Sequence, residues 1–360
     1  SRDWYGRTFL MTPVDAYDTM VLMGLEEESL EAKNLILEHL SFDHDAPVQV
    51  FEITIRILGG LLSAYQLDGD PRWLELAEAL ADRLMPAFDS PSGMPYVRVS
   101  LASGVASDPA NNPAEIGTLT LEFCLLSDLT GARRYCDAVT RGVRALFARR
   151  SDIGLVGTVI DVETGEWLND ESHVGGRIDS YYEYLLKSWL LFGDEEFREM
   201  WEASRRALAE HLVDDSEVTG RWYGVFDMTT GDRVATTFGA LQAFMPGMLA
   251  LGGDLSGADR IMGSVYRMWT DFGVEPESFD YATMEVQSPG YILRPEAIES
   301  AYVLFMLTGD ERYREMGRDI FRRIVDATRS EVGFAHLADI RTGEKSDEMQ
   351  SFFLAETLKY

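Results

Sequence analysis

The sequence predicts an all-α fold of repeated helical hairpins with short β-hairpins between them. Closed into a ring, these make an α/α barrel; left unclosed, an open superhelix. Three observations carry the prediction. A short signature recurs: an apolar helical run, a glycine, then a charged helix. The run before each glycine is apolar nearly all round, as buried helices are, and the run after it has a polar face, as outer helices have. Hairpin signals with Thr-Gly turns fall in the long loops after the charged helices.

The signature appears as "TMVLMGLEEESLEAKNLI", "LLSAYQLDGDPRWLELAEAL", "CLLSDLTGARRYCDAV", "LLKSWLLFGDEEFREMWEA", "GMLALGGDLSGADRIM" and "YVLFMLTGDERYREMGRDI". Its glycines are Gly24, Gly69, Gly131, Gly193, Gly253 and Gly309, spaced by about 60 residues after the first gap. Glycine ends a helix in a left-handed cap, and an acid after it starts the next. Inner helices start near residues 14, 51, 115, 179, 237, 295 and 349, which makes seven. "GTVIDVETGEW", "YGVFDMTTGDR" and "AHLADIRTGEK" read as short antiparallel hairpins on one rim. Long loops on one side of a rigid scaffold usually shape a site.

Composition narrows the function. The 360 residues hold 61 acidic against 32 basic side chains, a net charge of −29. That excludes a nucleic-acid binder, which needs clustered Lys and Arg. No run reaches the roughly 20 apolar residues of a membrane span, so no membrane insertion is expected. Cys124 and Cys136 flank a turn, which leaves a bridge between them open, but free thiols are the preferred reading.

Acids then stand out on helices otherwise too apolar to carry charge. Glu52 heads the second inner helix, with Arg56 one turn on; Glu115 and Glu122 fall on the third. Arg177 and Asp179 open the fourth, Arg294, Glu296 and Glu299 the sixth, and Glu356 lies on the seventh. In a ring of hairpins the inner helices run parallel, so these acids would gather at one mouth. Each alone could serve a helix dipole or an ion pair. Together with arginines and the aromatics Tyr181, Tyr182, Phe352 and Phe353, they suit a sugar. Paired carboxylates are the apparatus of glycoside hydrolysis, and the same oxygens suit a hard cation such as calcium.

"VDAYDTMVLMGL", "FEITIRILGGLLSAYQLDGD", "EIGTLTLEF", "DSYYEYLLKSW", "LRPEAIESAYVLFMLTGD" and "SFFLAETLKY" resemble, in order and spacing, the signatures of glycoside hydrolase family 47, the class I α-mannosidases. The resemblance runs from about residue 12 to 360. It implies one (α/α)7-barrel catalytic domain over residues 1–360. It implies exo-acting, inverting hydrolysis of terminal α-1,2-linked mannose from oligosaccharides, with Ca2+ at the pocket floor; separately from the resemblance, a monomer is expected. Glu52 matches the general acid, Glu296 the general base, and Asp179 a third acid that shares the acid function. Arg56, Arg177 and Arg294 match residues that orient the acids or the sugar. Glu299 and Glu356 match acids holding hydroxyls or calcium-bound waters, Phe352 the aromatic against the terminal mannose, and Glu115 and Glu122 a pocket-lining segment. A non-hydrolytic, mannose-binding relative is the alternative, which the presence of all three catalytic acids opposes.

There are departures. Ala240 and Ala243 stand where many members have His and Cys, which points to a simpler, bacterial-type member, periplasmic or secreted. The family's first helix and its Thr-Glu-Ala-His-Pro segment, whose Thr is the calcium ligand, lie outside these residues. Either this stretch belongs to a longer protein, which is the preferred expectation, or metal binding is lost; no metal ligand from protein is expected within it.

Overall fold

The computed structural model describes residues 8–45, 47–216 and 219–360. Residues 1–7 of the domain expected over 1–360 lie outside them. The chain forms two compact units, Ser1–Glu171 with Ser180–Arg205, and Ser172–Asp179 with Arg206–Tyr360.

In the first unit an apolar helix repeatedly hands over to an amphipathic one. Met11–Asp15 and Tyr17–Leu22 lead to Glu26–His39. Val50–Ile53, Thr54–Leu58 and Gly59–Asp68 form one continuous helical run leading to Pro71–Leu84. Thr120–Thr130 leads to Arg134–Phe147. Gly69 and Gly131 end their helices at φ 75° and 76°, the left-handed region that only glycine enters cheaply. Asp70 then caps the next helix by accepting from the Arg72 N–H at 3.1 Å. Pro71–Leu84 turns Trp73, Ala77, Leu80, Ala81 and Leu84 inward at helical spacing, all buried. They meet Ile53, Ile57, Leu61 and Leu62 of the apolar run in the core.

By length and composition Val50–Asp68 is long and apolar enough to cross a membrane, which the sequence reading did not foresee. Half of its most apolar stretch is buried inside the protein, as in a core helix, and an ion pair sits in its first turns.

The third expected inner helix is broken into Pro113–Gly117 and Thr120–Thr130. Gly117 explains part of this: a Cβ there would lie 2.7 Å from the Tyr181 ring.

The expectation of free thiols is corrected, because Cys124 and Cys136 form a disulfide. The tight turn at Gly131 folds the two helices back on each other. Ser127 fixes the corner, donating to the Ala132 carbonyl at 2.9 Å and accepting from the Cys136 N–H at 2.9 Å. The turn that separates the cysteines in sequence thus brings their Cα atoms to 4.2 Å.

The second unit repeats the scheme with Met245–Leu251 then Leu255–Phe272, and Glu296–Thr308 then Glu311–Thr328. The fifth inner helix starts later than expected. Residues Thr237–Gly239 are a strand pairing with Ser278–Asp280, and Pro246 sits in the first turn of the α-helix. The last inner element is a π turn, Phe353–Thr357. The three predicted hairpins are present, at Val159–Asp161 with Trp167–Asn169 in the first unit, and at Val225–Asp227 with Arg233–Ala235 and His336–Asp339 with Glu344–Ser346 in the second. Each turn is organised by the aspartate that ends its first strand. Asp227, for example, accepts from the N–H groups of Thr229 and Thr230 at 2.8 Å.

Candidate active site

In the first unit, Glu52 and Arg56 are one turn apart on a helix that widens into a π turn over Thr54–Leu58. Such turns often mark functional sites. Arg56 Nε donates to Glu52 Oε2 at 2.7 Å, and its Nη1 reaches Asp15 Oδ2 at 3.4 Å. The guanidinium is therefore held between two carboxylates, all three side chains being largely buried. Asp15, the first acid of "VDAYDT", was not singled out by the sequence reading. Its signal was an acid on an otherwise apolar first helix.

Glu115 and Glu122 also carry buried oxygens. Asn112 caps the helix Pro113–Gly117 by accepting from the Glu115 N–H, and its amide donates back to Glu115 Oε1, both at 3.0 Å. Tyr184 donates to Glu122 Oε1 at 2.8 Å. The second oxygen of each carboxyl is buried with no hydrogen-bond partner among the described residues. Burial pushes the Glu122 carboxyl up to about 7.

In the second unit, Arg177 precedes the helix that Asp179 opens. Arg177 is exposed and holds φ 76°, and the Asp179 N–H donates to the Gly175 carbonyl at 2.9 Å. The neighbouring His173 accepts from the Gly175 N–H at 3.1 Å, and burial and then the Arg177 charge lower it to about 4.

The strongest concentration of charge lies around Arg294. Its guanidinium forks onto Glu277, Nε to Oε1 at 3.3 Å and Nη2 to Oε2 at 2.8 Å. The backbone beside it is pinned twice: Tyr291 donates its hydroxyl to the Arg294 carbonyl at 3.2 Å, and Thr357 donates to the Leu293 carbonyl at 2.8 Å. Leu293 sits at φ 71°, a strained setting for a branched residue. Glu296 is then the first residue of Glu296–Thr308, after Pro295. Its Oε2 is buried without a hydrogen-bond partner among the described residues. Burial raises its carboxyl to about 8. Arg294 opposes that rise, and Glu356 and Glu299 add to it. Glu299 accepts from the Tyr360 hydroxyl at 3.1 Å. Glu356 lies on the second π turn, and the Arg294 guanidinium carbon lies 5.9 Å from the centre of the Phe352 ring.

The structure thus brings together Glu52 with Arg56 in one unit, and Arg294, Glu296, Glu299, Phe352 and Glu356 in the other. Glu277 was missed because "VEPES" lies in a loop leading to a strand, away from the inner-helix pattern. Three of the four proposed sugar-stacking aromatics are corrected. Tyr181, Tyr182 and Phe353 are fully buried, Tyr181 against Tyr182 and Phe353 against Phe334, so they have no free ring face.

Calcium needs six to eight oxygens. Among the described residues, no three His, Cys, Asp or Glu side chains come together as a ligand set. Glu296, Glu299 and Glu356 are thus not gathered as a direct ligand set among the described residues.

The sequence profile of "Glycosyl hydrolase family 47" matches residues 2–360. The chain is 40% identical to "Alpha-mannosidase I MNS4" of Arabidopsis thaliana, covering 98% of this chain and 58% of that protein. It is 38% identical to human "ER degradation-enhancing alpha-mannosidase-like protein 2", covering 98% and 63%. It therefore spans about three-fifths of these relatives' length. Its fold matches the solved "alpha-1,2-mannosidase from Trichoderma reesei" with a TM-score of 0.90 at 29% identity, over 97% of this chain and 83% of that one. These relatives are eukaryotic and give no support to a bacterial-type member. The chain belongs to glycosyl hydrolase family 47.

Proposed function

We propose that this chain is the catalytic part of an exo-acting, inverting α-mannosidase that removes terminal α-1,2-linked mannose from oligosaccharides. The observation that carries this is Glu296. It is an acid at the head of an apolar helix, with one buried, unpartnered oxygen and with Arg294 as the chief group favouring its ionised form. The names of the relatives support the same reading.

In this proposal Glu296 takes a proton from the attacking water, whose oxygen bonds to the anomeric carbon. The glycosidic bond breaks, and its oxygen receives a proton from Glu52, directly or through a water, with Asp179 sharing that role. Arg56 fixes the rotamer of Glu52 through their 2.7 Å contact. Arg294 holds Glu277 and favours ionised Glu296; Arg177 orients sugar or acid. Glu299 and Glu356 accept from sugar hydroxyls, Phe352 packs against the terminal mannose, and Glu115 and Glu122 line the pocket.

The disulfide supports an oxidising compartment, secretory or periplasmic. We place the protein there as a monomer.

Proton NMR of α-1,2-mannobiose with the chain tests the reaction. Inversion gives β-mannose as the first product. An α-configured first product would refute inversion, and sugar binding without mannose release would favour the non-hydrolytic, mannose-binding reading.

A further inference from the structure

Three consecutive residues ahead of Glu296 have backbone groups bound by side chains. Ile292 donates its N–H to Glu277 Oε1 at 3.3 Å. The Leu293 carbonyl accepts from the Thr357 hydroxyl at 2.8 Å, and the Arg294 carbonyl from the Tyr291 hydroxyl at 3.2 Å. Tyr291, Leu293 and Thr357 are all fully buried. Leu293 holds φ 71°, which is costly for a residue with a branched side chain. Such a conformation persists only where its surroundings over-determine it. The three bonds supply that constraint.

Thr357 uses its hydroxyl differently from comparable threonines of this chain. Thr130, Thr308 and Thr328 are each the last residue of a helix. Each turns its hydroxyl back to the carbonyl four residues earlier, to Leu126, Leu304 and Ile324 at 2.8, 2.7 and 2.6 Å. Thr357 also ends its turn, Phe353–Thr357, but it donates to a residue 64 positions away in sequence. That residue, Leu293, adjoins Arg294. The same turn carries Glu356, with Phe352 just before it. One hydroxyl thus ties the residues assigned to the sugar to the segment that leads into Glu296.

We propose that Thr357 is a positioning residue for Glu296. Its hydroxyl holds Leu293 in the left-handed region and so fixes the direction in which the chain enters the helix Glu296–Thr308. Without that bond Leu293 relaxes towards negative φ. Arg294 then turns away from Glu277, and Glu296 shifts relative to Phe352 and Glu356. The movement falls on the Leu293 side, because Phe352 already has ordinary helical backbone at φ −61°. Sugar contacts survive while the base is misplaced. The inference rests on Glu296 being the base.

Two variants of the intact chain test it. Thr357→Val keeps the size of the side chain and loses the hydroxyl, whereas Thr357→Ser keeps the hydroxyl. With α-1,2-mannobiose, Thr357→Val should lose about 10- to 100-fold in kcat with KM within about threefold of wild type, as a misplaced base requires. Thr357→Ser should recover most of that loss. Tyr291→Phe, which frees the Arg294 carbonyl, should act in the same direction as Thr357→Val. Hydrogen exchange reads the tie without turnover. Residues 291–299 include the Glu299 N–H bonded to the Pro295 carbonyl, and residues 303–309 the Gly309 N–H bonded to the Phe305 carbonyl. In Thr357→Val the first stretch should exchange about tenfold faster while the second keeps its wild-type rate. A hydroxyl that only satisfies a buried carbonyl would lower stability and speed both stretches alike. Three results would overturn the proposal: an unchanged kcat in Thr357→Val, no recovery in Thr357→Ser, or equal acceleration of both stretches. If Thr357→Val does not fold, Tyr291→Phe decides by the same two measurements. If wild type releases no mannose, the hydrolase reading falls, and the exchange rates alone decide whether the tie holds this segment.

Discussion

Arg294 and Glu277 are joined by a two-point fork, 2.8 Å at its shorter arm, two residues before Glu296. The arginine has two roles in this arrangement. It neutralises a largely buried carboxylate and is the chief charge favouring ionised Glu296. We predict that Arg294→Met leaves Glu277 without its cation, with only the Ile292 N–H still donating to it, and destabilises the chain by roughly 1–3 kcal/mol. The same change moves Glu296 further above about 8. The ionised fraction at pH 6 then falls, and kcat/KM at pH 6 drops by about tenfold for each pH unit that the Glu296 midpoint rises. Adding Glu277→Gln should restore melting temperature but not rate. Rate recovering together with stability would show that the arginine acts only as a structural tie.

Glu296→Gln should abolish mannose release while sparing sugar binding. An amide keeps the size of the side chain but cannot take the proton of water. General acid–base groups contribute about 100- to 10,000-fold. A variant with more than about a tenth of the wild-type rate would remove Glu296 from the chemistry.

Much of this was legible in the chain because it is written in local physics. Gly69, Gly131 and Gly309 announce helix ends, since the left-handed φ they adopt is costly for other residues. Glu52, Arg56 and Glu296 stood out because charge on an apolar helix needs a reason. The rest depended on contacts between distant residues. Glu277 is 17 positions from Arg294, and neither its loop nor its spacing marks it as the partner. Cys124 and Cys136 flank a turn in the sequence, but whether they pair is decided only where the turn at Gly131 lays their helices side by side. Tyr181 and Tyr182 carried the composition of a sugar platform, but periodicity cannot say which side of an all-apolar helix meets another helix.

That disulfide closes a short loop with a sequence separation of 12. Chain-entropy reasoning assigns such a loop about 3 kcal/mol, gained by restricting the unfolded chain. Cys124→Ala with Cys136→Ala should lower the melting temperature, and reduction of the wild type should do the same. Ellman titration of the denatured protein should find no free thiol before reduction. Two free thiols would rule the bridge out.

Glu122 should tie stability to pH. Its folded carboxyl lies near 7, above the usual value of 4.5, so the folded state holds the proton more tightly than the unfolded chain. A raised acid gives stability that is fully present below about 4.5 and lost as pH rises towards 7. The loss is at most about 3 kcal/mol. Glu122→Gln keeps the neutral form at every pH. We predict that melting temperature falls from pH 5 to pH 7 in wild type and falls less in the variant. Parallel curves would mean that Glu122 titrates normally in the folded protein.

The last prediction concerns calcium. The resemblance implies the ion, but among the described residues no three candidate ligand side chains converge. Glu296 and Glu299 lie one turn apart on one helix, and Glu356 comes from a separate π turn. Calcium needs six to eight oxygens, more than these acids can direct at one point without help. Groups that hold the ion's waters can tune affinity strongly, but they act on an ion already anchored. Calorimetry of these 360 residues with calcium should therefore show weak binding or none, and Glu299→Gln should change it little. Tight binding, weakened by Glu299→Gln or Glu356→Gln, would show that the acids around Glu296 are ligands themselves and that the ion belongs in the chemistry of this chain.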